Sequence, residues 1–177
     1  MTAGHSRLLS DAGACYEPFV ESNLLRSYLA TIYELPTDTG PIQASMDGDL
    51  VKDDALLPPL LCQTFAIVTA YNPRSMLLPR RVNEARHQVL RDLLVLGCYR
   101  VEHCLGVDDS ADGAWREPAW LVHGIEREEA INFGRAFRQN TIIFCRNARP
   151  ELIVSDPTCD PVGKTFQGNW RVRSGSG

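Results

Sequence analysis

Between Ser22 and Leu35 the apolar positions Leu24, Leu25, Tyr28, Leu29 and Ile32 recur at helical spacing, and Ser22 or Asn23 can cap the start. A short amphipathic helix is predicted there. Pro36 to Asp54 is rich in Pro, Gly, Asp, Ser and Thr and reads as loop, with a weak hairpin through Tyr33 to Leu35 and Pro41 to Met46. Ala55 to Leu61 allows one more helical turn, limited by Pro58 and Pro59. From Phe65 the signals sharpen: Phe65 to Tyr71 is an apolar, β-branched and aromatic run stopped by Asn72 and Pro73, which predicts a strand. Pro79 then suits the first turn of a helix whose expected buried stripe is Val82, Ala85, Val89, Leu93 and Leu96, ended by Gly97. Tyr99 to Leu105 and Pro118 to Ile125 read as strands on either side of a polar Gly106 to Gly113 loop. Glu126 to Gln139 returns to helical spacing through Ala130, Phe133 and Phe137, with Asn140 as its left-handed close. Thr141 to Cys145 and Glu151 to Ser155 are two further strands joined by a turn at Asn147 to Pro150.

The order strand, helix, strand, strand, helix, strand predicts an α+β fold: a ferredoxin-like split βαβ (βαββαβ) sandwich with an N-terminal helix and an extra C-terminal strand. The expected division is a disordered start over 1–21, one domain over 22–156 with its core at 62–156, and a flexible tail over 157–177. Such a sheet gathers chain segments seventy positions apart at one edge: Tyr71, Asn72, Arg74, the helix start near Asn83, the Gly106 to Asp109 loop, Glu117, Gln139 and Asn140. Neither side of the Phe65 to Tyr71 strand looks solvated, so the face away from the long helices needs a cover. The N-terminal helix, the tail or a second subunit can supply it; the helix is the expected cover and a dimer the runner-up.

Composition narrows the function classes. With 177 residues, 44% apolar and 23% charged, the chain is long enough to hold a core without disulfides or a metal. No run approaches a membrane helix, and Met1 to Asp11 lacks a secretory apolar segment, so a cytoplasmic protein without membrane contact is expected. The six Cys residues contain no C-x-x-C pair and read as free thiols. The net charge is −4, the front of the chain is acidic and the centre is nearly neutral, which argues against a nucleic-acid surface.

Three chemistries fit the expected rim. Arg74 can fork onto an anionic or carbonyl group while Asn72, Gln139 and Asn140 supply amides, and Tyr71 and Asn83 stand beside them. That set suits a small polar or anionic ligand, although Asn72 to Ser75 also reads as a plain turn. Glu117 is the catalytic candidate, as general base or metal ligand, with a structural ion pair to Arg74 or Arg116 as the plainer role. Asp108, Asp109 and Asp112 are hard oxygen donors in a loop that invites Mg²⁺ or Ca²⁺, but their spacing fails the EF-hand pattern and a solvated acidic loop is the favoured reading, so no metal site and no cofactor are assigned. His103 and His123 lie on paired strands without an evident third ligand. Ser75 has no His partner at a recognisable spacing. The expected function is thus a ligand-binding domain, with a metal-assisted hydrolase using Glu117 and a loop Asp, or a homodimeric interaction module, as alternatives.

The segment Phe65-Ala-Ile-Val-Thr-Ala-Tyr-Asn-Pro-Arg-Ser75, the following Asn83, Glu117 ahead of an aromatic strand, and Phe137-x-Gln139-Asn140-x-Ile-Ile-Phe144 resemble an uncharacterised bacterial family of unknown function, the DUF3293 type. Tyr28-Leu-Ala-Thr31 and Tyr33 resemble that family's opening helix, so the likeness runs from about Leu24 to Asp156. Asn83 precedes Glu84 where the family has Glu before Asn, Thr141 stands where Ala is usual, and Pro36 to Leu60 matches poorly. The resemblance implies candidate positions and no activity.

Overall fold

The computed structural model describes residues 23–48, 57–108, 115–157 and 163–173. The chain runs α1 (Asn23–Ala30), β1 (Ile32–Leu35), β2 (Ile42–Ser45), β3 (Phe65–Val68), α2 (Arg80–Leu96), β4 (Arg100–Val107) and β5 (Arg116–His123). It continues through α3 (Arg127–Ala136), β6 (Thr141–Arg146), β7 (Arg149–Val154), β8 (Thr165–Gln167) and β9 (Arg171–Arg173). All nine strands join one sheet in the order β8-β7-β6-β3-β5-β4-β1-β2-β9, and every named pair is antiparallel.

This is mostly β structure curled into a half-barrel, and it replaces the expected ferredoxin-like sandwich. The physical reason lies at the flanks. Strands β1, β2, β8 and β9 are only three or four residues long. Their pairing is set by distant partners, as where Ser45 of β2 meets Arg171 of β9. A local apolar alternation of that length carries little signal, and the hairpin of Tyr33 with Ala44 is the one flank pair the sequence does suggest. The expectation of a flexible tail does not hold for residues 163–173. They supply both edge strands, and Trp170 is fully buried, with its ring stacked against Phe65 at a centroid distance of 6.1 Å.

The two faces of the sheet carry two cores. On one, Leu90 and Leu94 of α2 and Ala130 and Ile131 of α3 pack over Ala66, Val68, Val122, Phe144 and Ile153. On the other, concave face, Leu25 of α1, Leu60, Leu61 and Trp170 close over Tyr33, Phe65, Ile67, Leu121 and Ile143. The N-terminal helix therefore contributes to the cover of the second face, together with the chain's C-terminal part. It is shorter than expected, because Ile32 already belongs to β1.

Helix α2 is rotated relative to the stripe the sequence suggests. Val82, Val89, Leu93 and Leu96 are exposed, and the buried residues are Asn83, His87, Leu90 and Leu94. Two polar residues hold inward positions because each has a task there. Asn83 bonds the Asn72 turn, and His87 stacks between rings, 4.6 Å from Trp120 and edge-on to Tyr71 at 5.2 Å. His103 meets Trp120 edge-on, whereas His123 bonds Glu102, so these two histidines serve different neighbours. Cys62, Cys98, Cys104 and Cys145 are free thiols; Cys15 and Cys159 lie outside the described residues. No described helix is long and apolar enough to cross a membrane.

Candidate functional site

Strand register builds the site from below. Tyr33 on β1, Gly106 on β4 and Glu117 on β5 lie side by side across three strands, on the concave face. Gly106 leaves this row open at its middle, and the Trp115 ring occupies the space: a Cβ on Gly106 would meet it at 3.5 Å. Ala119, Ile67, Thr69 and Ile143 continue the same face. Helix α1 crosses above and supplies Tyr28 and Ala30. Between them lies a cavity of about 590 Å³, within the range of small-molecule sites.

The chain reaches the cavity through a strained turn. Asn72, Arg74 and Ser75 all take left-handed backbone angles, with φ of 41°, 55° and 59°. Each costs a non-glycine residue on the order of 1 kcal/mol, so surrounding contacts must hold the turn. Three sets do. The Arg74 amide donates to the Arg138 carbonyl at 2.9 Å, while the Arg74 guanidinium grips Asp156, at 2.6 Å from Nε to Oδ2. The Asn72 amide N–H donates to Asn83 Oδ1 at 2.9 Å, and Asn83 Nδ2 returns a bond to Asn72 Oδ1 at 2.8 Å. Asn140 Nδ2 donates to Ser75 Oγ at 3.0 Å and to the Tyr28 hydroxyl at 3.1 Å, joining the turn to α1.

This network fixes Glu117. Asn72 Oδ1 also accepts the Leu78 amide N–H, a group that can only donate, so the amide orientation is determined and its Nδ2 must face Glu117. The bond from Nδ2 to Glu117 Oε2 is 3.1 Å. Burial pushes the Glu117 carboxyl above its usual range, partly offset by hydrogen bonding from Asn72 and Thr69. The expected ion pair with an arginine does not form: Arg116 pairs with Glu34 at 3.1 Å and Arg74 with Asp156.

Of the candidate residues, Asn72, Glu117, Gln139, Asn140 and Asp108 line the cavity, whereas Arg74, Tyr71 and Asn83 do not. Tyr71 contributes its carbonyl, which accepts from Gln139 Nε2 at 2.9 Å, and its ring to His87 on the opposite face. Gln139 gives a second bond from Nε2 to the Phe137 carbonyl, which leaves Oε1 for the cavity. Asp109 and Asp112 lie outside the described residues. Among the described residues, no group of three His, Cys, Asp or Glu side chains stands close enough to hold a metal ion.

Sequence reasoning missed the α1 side of the site, Tyr28 and Thr31, together with Tyr33 and Trp115. The signal available was the likeness of Tyr28-Leu-Ala-Thr31 and Tyr33 to the opening helix of the same family. Nothing local points from Arg74 to Asp156, eighty-two positions away.

Comparison with known proteins gives one match. Residues 68–142 fit the family model described as Protein of unknown function (DUF3293), to which this segment is similar. The matched span includes Asn72, Arg74, Asn83, Glu117, Gln139 and Asn140, and it stops short of α1 and Asp156. No curated protein and no solved structure matches the chain.

Proposed function

We propose that this DUF3293-type domain binds a small polar molecule in the cavity between α1 and the concave sheet face. The observation that carries the reading is a half-buried carboxylate, Glu117, held by a determined amide and presented with Gln139 Oε1 among the apolar walls Ile67, Ala119 and Ile143. A core of the ordinary kind would pair such acceptors or replace them. Strain stored in the Asn72 to Ser75 turn supports the same reading, since three left-handed non-glycine residues are retained where the turn meets the cavity. An anionic ligand has less support than a neutral or cationic one, because Arg74 is committed to Asp156 and the cavity has carboxylates from Glu117 and Asp108 against one guanidinium, Arg26, on α1.

The test is an NMR titration with a library of small polar fragments, in the wild type and in Ala30→Trp. Ala30 ends α1 and lines the cavity, so a bulky ring there takes up its space against the Tyr33, Ile67 and Ile143 wall. Fragments that move the Trp115 and Tyr28 resonances should bind at least about tenfold more weakly to Ala30→Trp. Unchanged binding to the variant, or fragment shifts confined to other surfaces, removes the reading.

One observation favours self-association as a second reading. The outward stripe of α2, Val82, Val89, Leu93 and Leu96, is between 43 and 80% exposed. Arg81 and Asp92, eleven residues and so three turns apart, flank the stripe on one side. Two copies packed with α2 antiparallel would bring Arg81 of each opposite Asp92 of the other and cover both stripes. The concave sheet face expected for such contact is already covered by α1 and Trp170. Light scattering over a hundredfold range of concentration should show a dimer that Leu93→Glu abolishes; a monomer throughout removes this reading.

A further inference from the structure

The cavity's charged groups lean toward one ligand class, with two carboxylates, Glu117 and Asp108, against one guanidinium, Arg26. Its polar acceptors on the sheet side are the Glu117 carboxylate and Gln139 Oε1, and the Asp108 carboxylate belongs to the same lining. The Asn72 amide is largely engaged within the protein: Nδ2 donates one hydrogen to Glu117, and Oδ1 accepts from Leu78 and Asn83. Two aromatic residues stand in this part of the lining: Tyr33, beside Gly106 in the Tyr33–Gly106–Glu117 row, and Trp115, whose ring lies over Gly106. A half-buried carboxylate near aromatic rings is an arrangement that attracts organic cations, by charge and by the ring quadrupole together.

We propose that the ligand is a protonated organic amine with an apolar or aromatic body, its ammonium on Glu117 and its body between Trp115 and the Ile67 and Ile143 walls. This rests on the small-molecule reading above and adds the charge of the ligand to it. Glu117 accepts the ammonium N–H alongside its bonds from Asn72 and Thr69, and Gln139 Oε1 takes a second N–H. The apolar walls favour a body of roughly ring size. Arg26 on α1 is the opposing cation and disfavours a second positive charge near it. The carboxyl's tendency toward the neutral form, caused by burial, is reversed by an ammonium at contact distance, so binding takes up the ionised form.

The experiment compares three isosteric probes, benzylamine, benzyl alcohol and benzoate, by NMR titration at pH 7 against the wild type and Glu117→Gln. Benzylamine should bind the wild type at least about tenfold more tightly than either of the others, the scale of one charge-assisted hydrogen bond. Glu117→Gln keeps the shape and removes the charge, so that preference should collapse to within about twofold. Equal or tighter binding of benzyl alcohol or benzoate, with shifts at Trp115 and Tyr28, overturns the amine assignment and leaves the cavity reading standing. Silence of all three probes overturns the amine assignment as well, and the fragment titration of Ala30→Trp then decides the cavity reading separately. Should Glu117→Gln fail to fold, the ranking of the three probes on the wild type decides alone.

Discussion

Replacing Arg74 by Met separates a structural role from a ligand-binding one. Methionine keeps most of the aliphatic stem and removes the charge, and its cost at a φ of 55° is close to that of arginine, so backbone strain cancels in the comparison. What is lost is the pairing with Asp156, whose side chain is 0% exposed, by a guanidinium that is 35% exposed. Removing one partner of a fully buried pair costs about 3–5 kcal/mol, and water at the exposed part of Arg74 reduces this to roughly 1.5–3 kcal/mol. Urea unfolding at pH 7 measures it. Asp156→Asn and the double variant complete a cycle, and the two single changes should overlap by about 1 kcal/mol or more, because they delete one contact. A loss under about 0.5 kcal/mol in Arg74→Met, or strict additivity, would refute the clamp role. Benzylamine binding supplies the second readout. It should survive in the folded Arg74→Met protein, and loss of binding at unchanged stability would return Arg74 to the ligand side.

Three further outcomes are expected. Trp170→Ala should cost about 3–5 kcal/mol in urea unfolding, since it empties the space against Phe65; a loss below about 1 kcal/mol would show the C-terminal strands to be dispensable. His87 has a pKa lowered from its ordinary value to about 4, by burial first and then by nearby His103, and neither ring nitrogen has a hydrogen-bond partner. The unfolded chain therefore takes up the proton first. Stability is full above about pH 6.5 and falls by up to roughly 3 kcal/mol as the pH drops toward 4, and His87→Phe should flatten that slope in urea midpoints measured at pH 7 and pH 4. Gly134→Ala should destabilise by about 1–3 kcal/mol, because the new Cβ would stand 2.7 Å from Ile142 Cγ2 and 2.7 Å from Ser155 Oγ, the latter locked onto the Gln139 carbonyl. Calorimetry showing no fall in Tm for that variant would contradict the packing.

The amino-acid sequence by itself determined the middle strands, the two long helices within a few residues, and the set of polar residues that turned out to share a network. It did so because those elements carry their own periodicity, and because Asn72 to Ser75 and Gln139-Asn140 interrupt apolar runs where a core would not. The face of α2 escaped it: the apolar stripe Val82, Val89, Leu93 and Leu96 marks another side, and the inward place of His87 shows only once Tyr71 and Trp120 are seen to pack on it. Only the tertiary structure decided the half-barrel, the burial of Trp170 and the pairing of Arg74 with Asp156. Each depends on contacts across dozens of residues, and the free energy of such a contact belongs to the pair and to the water it excludes, so neither partner displays it in its own stretch of chain.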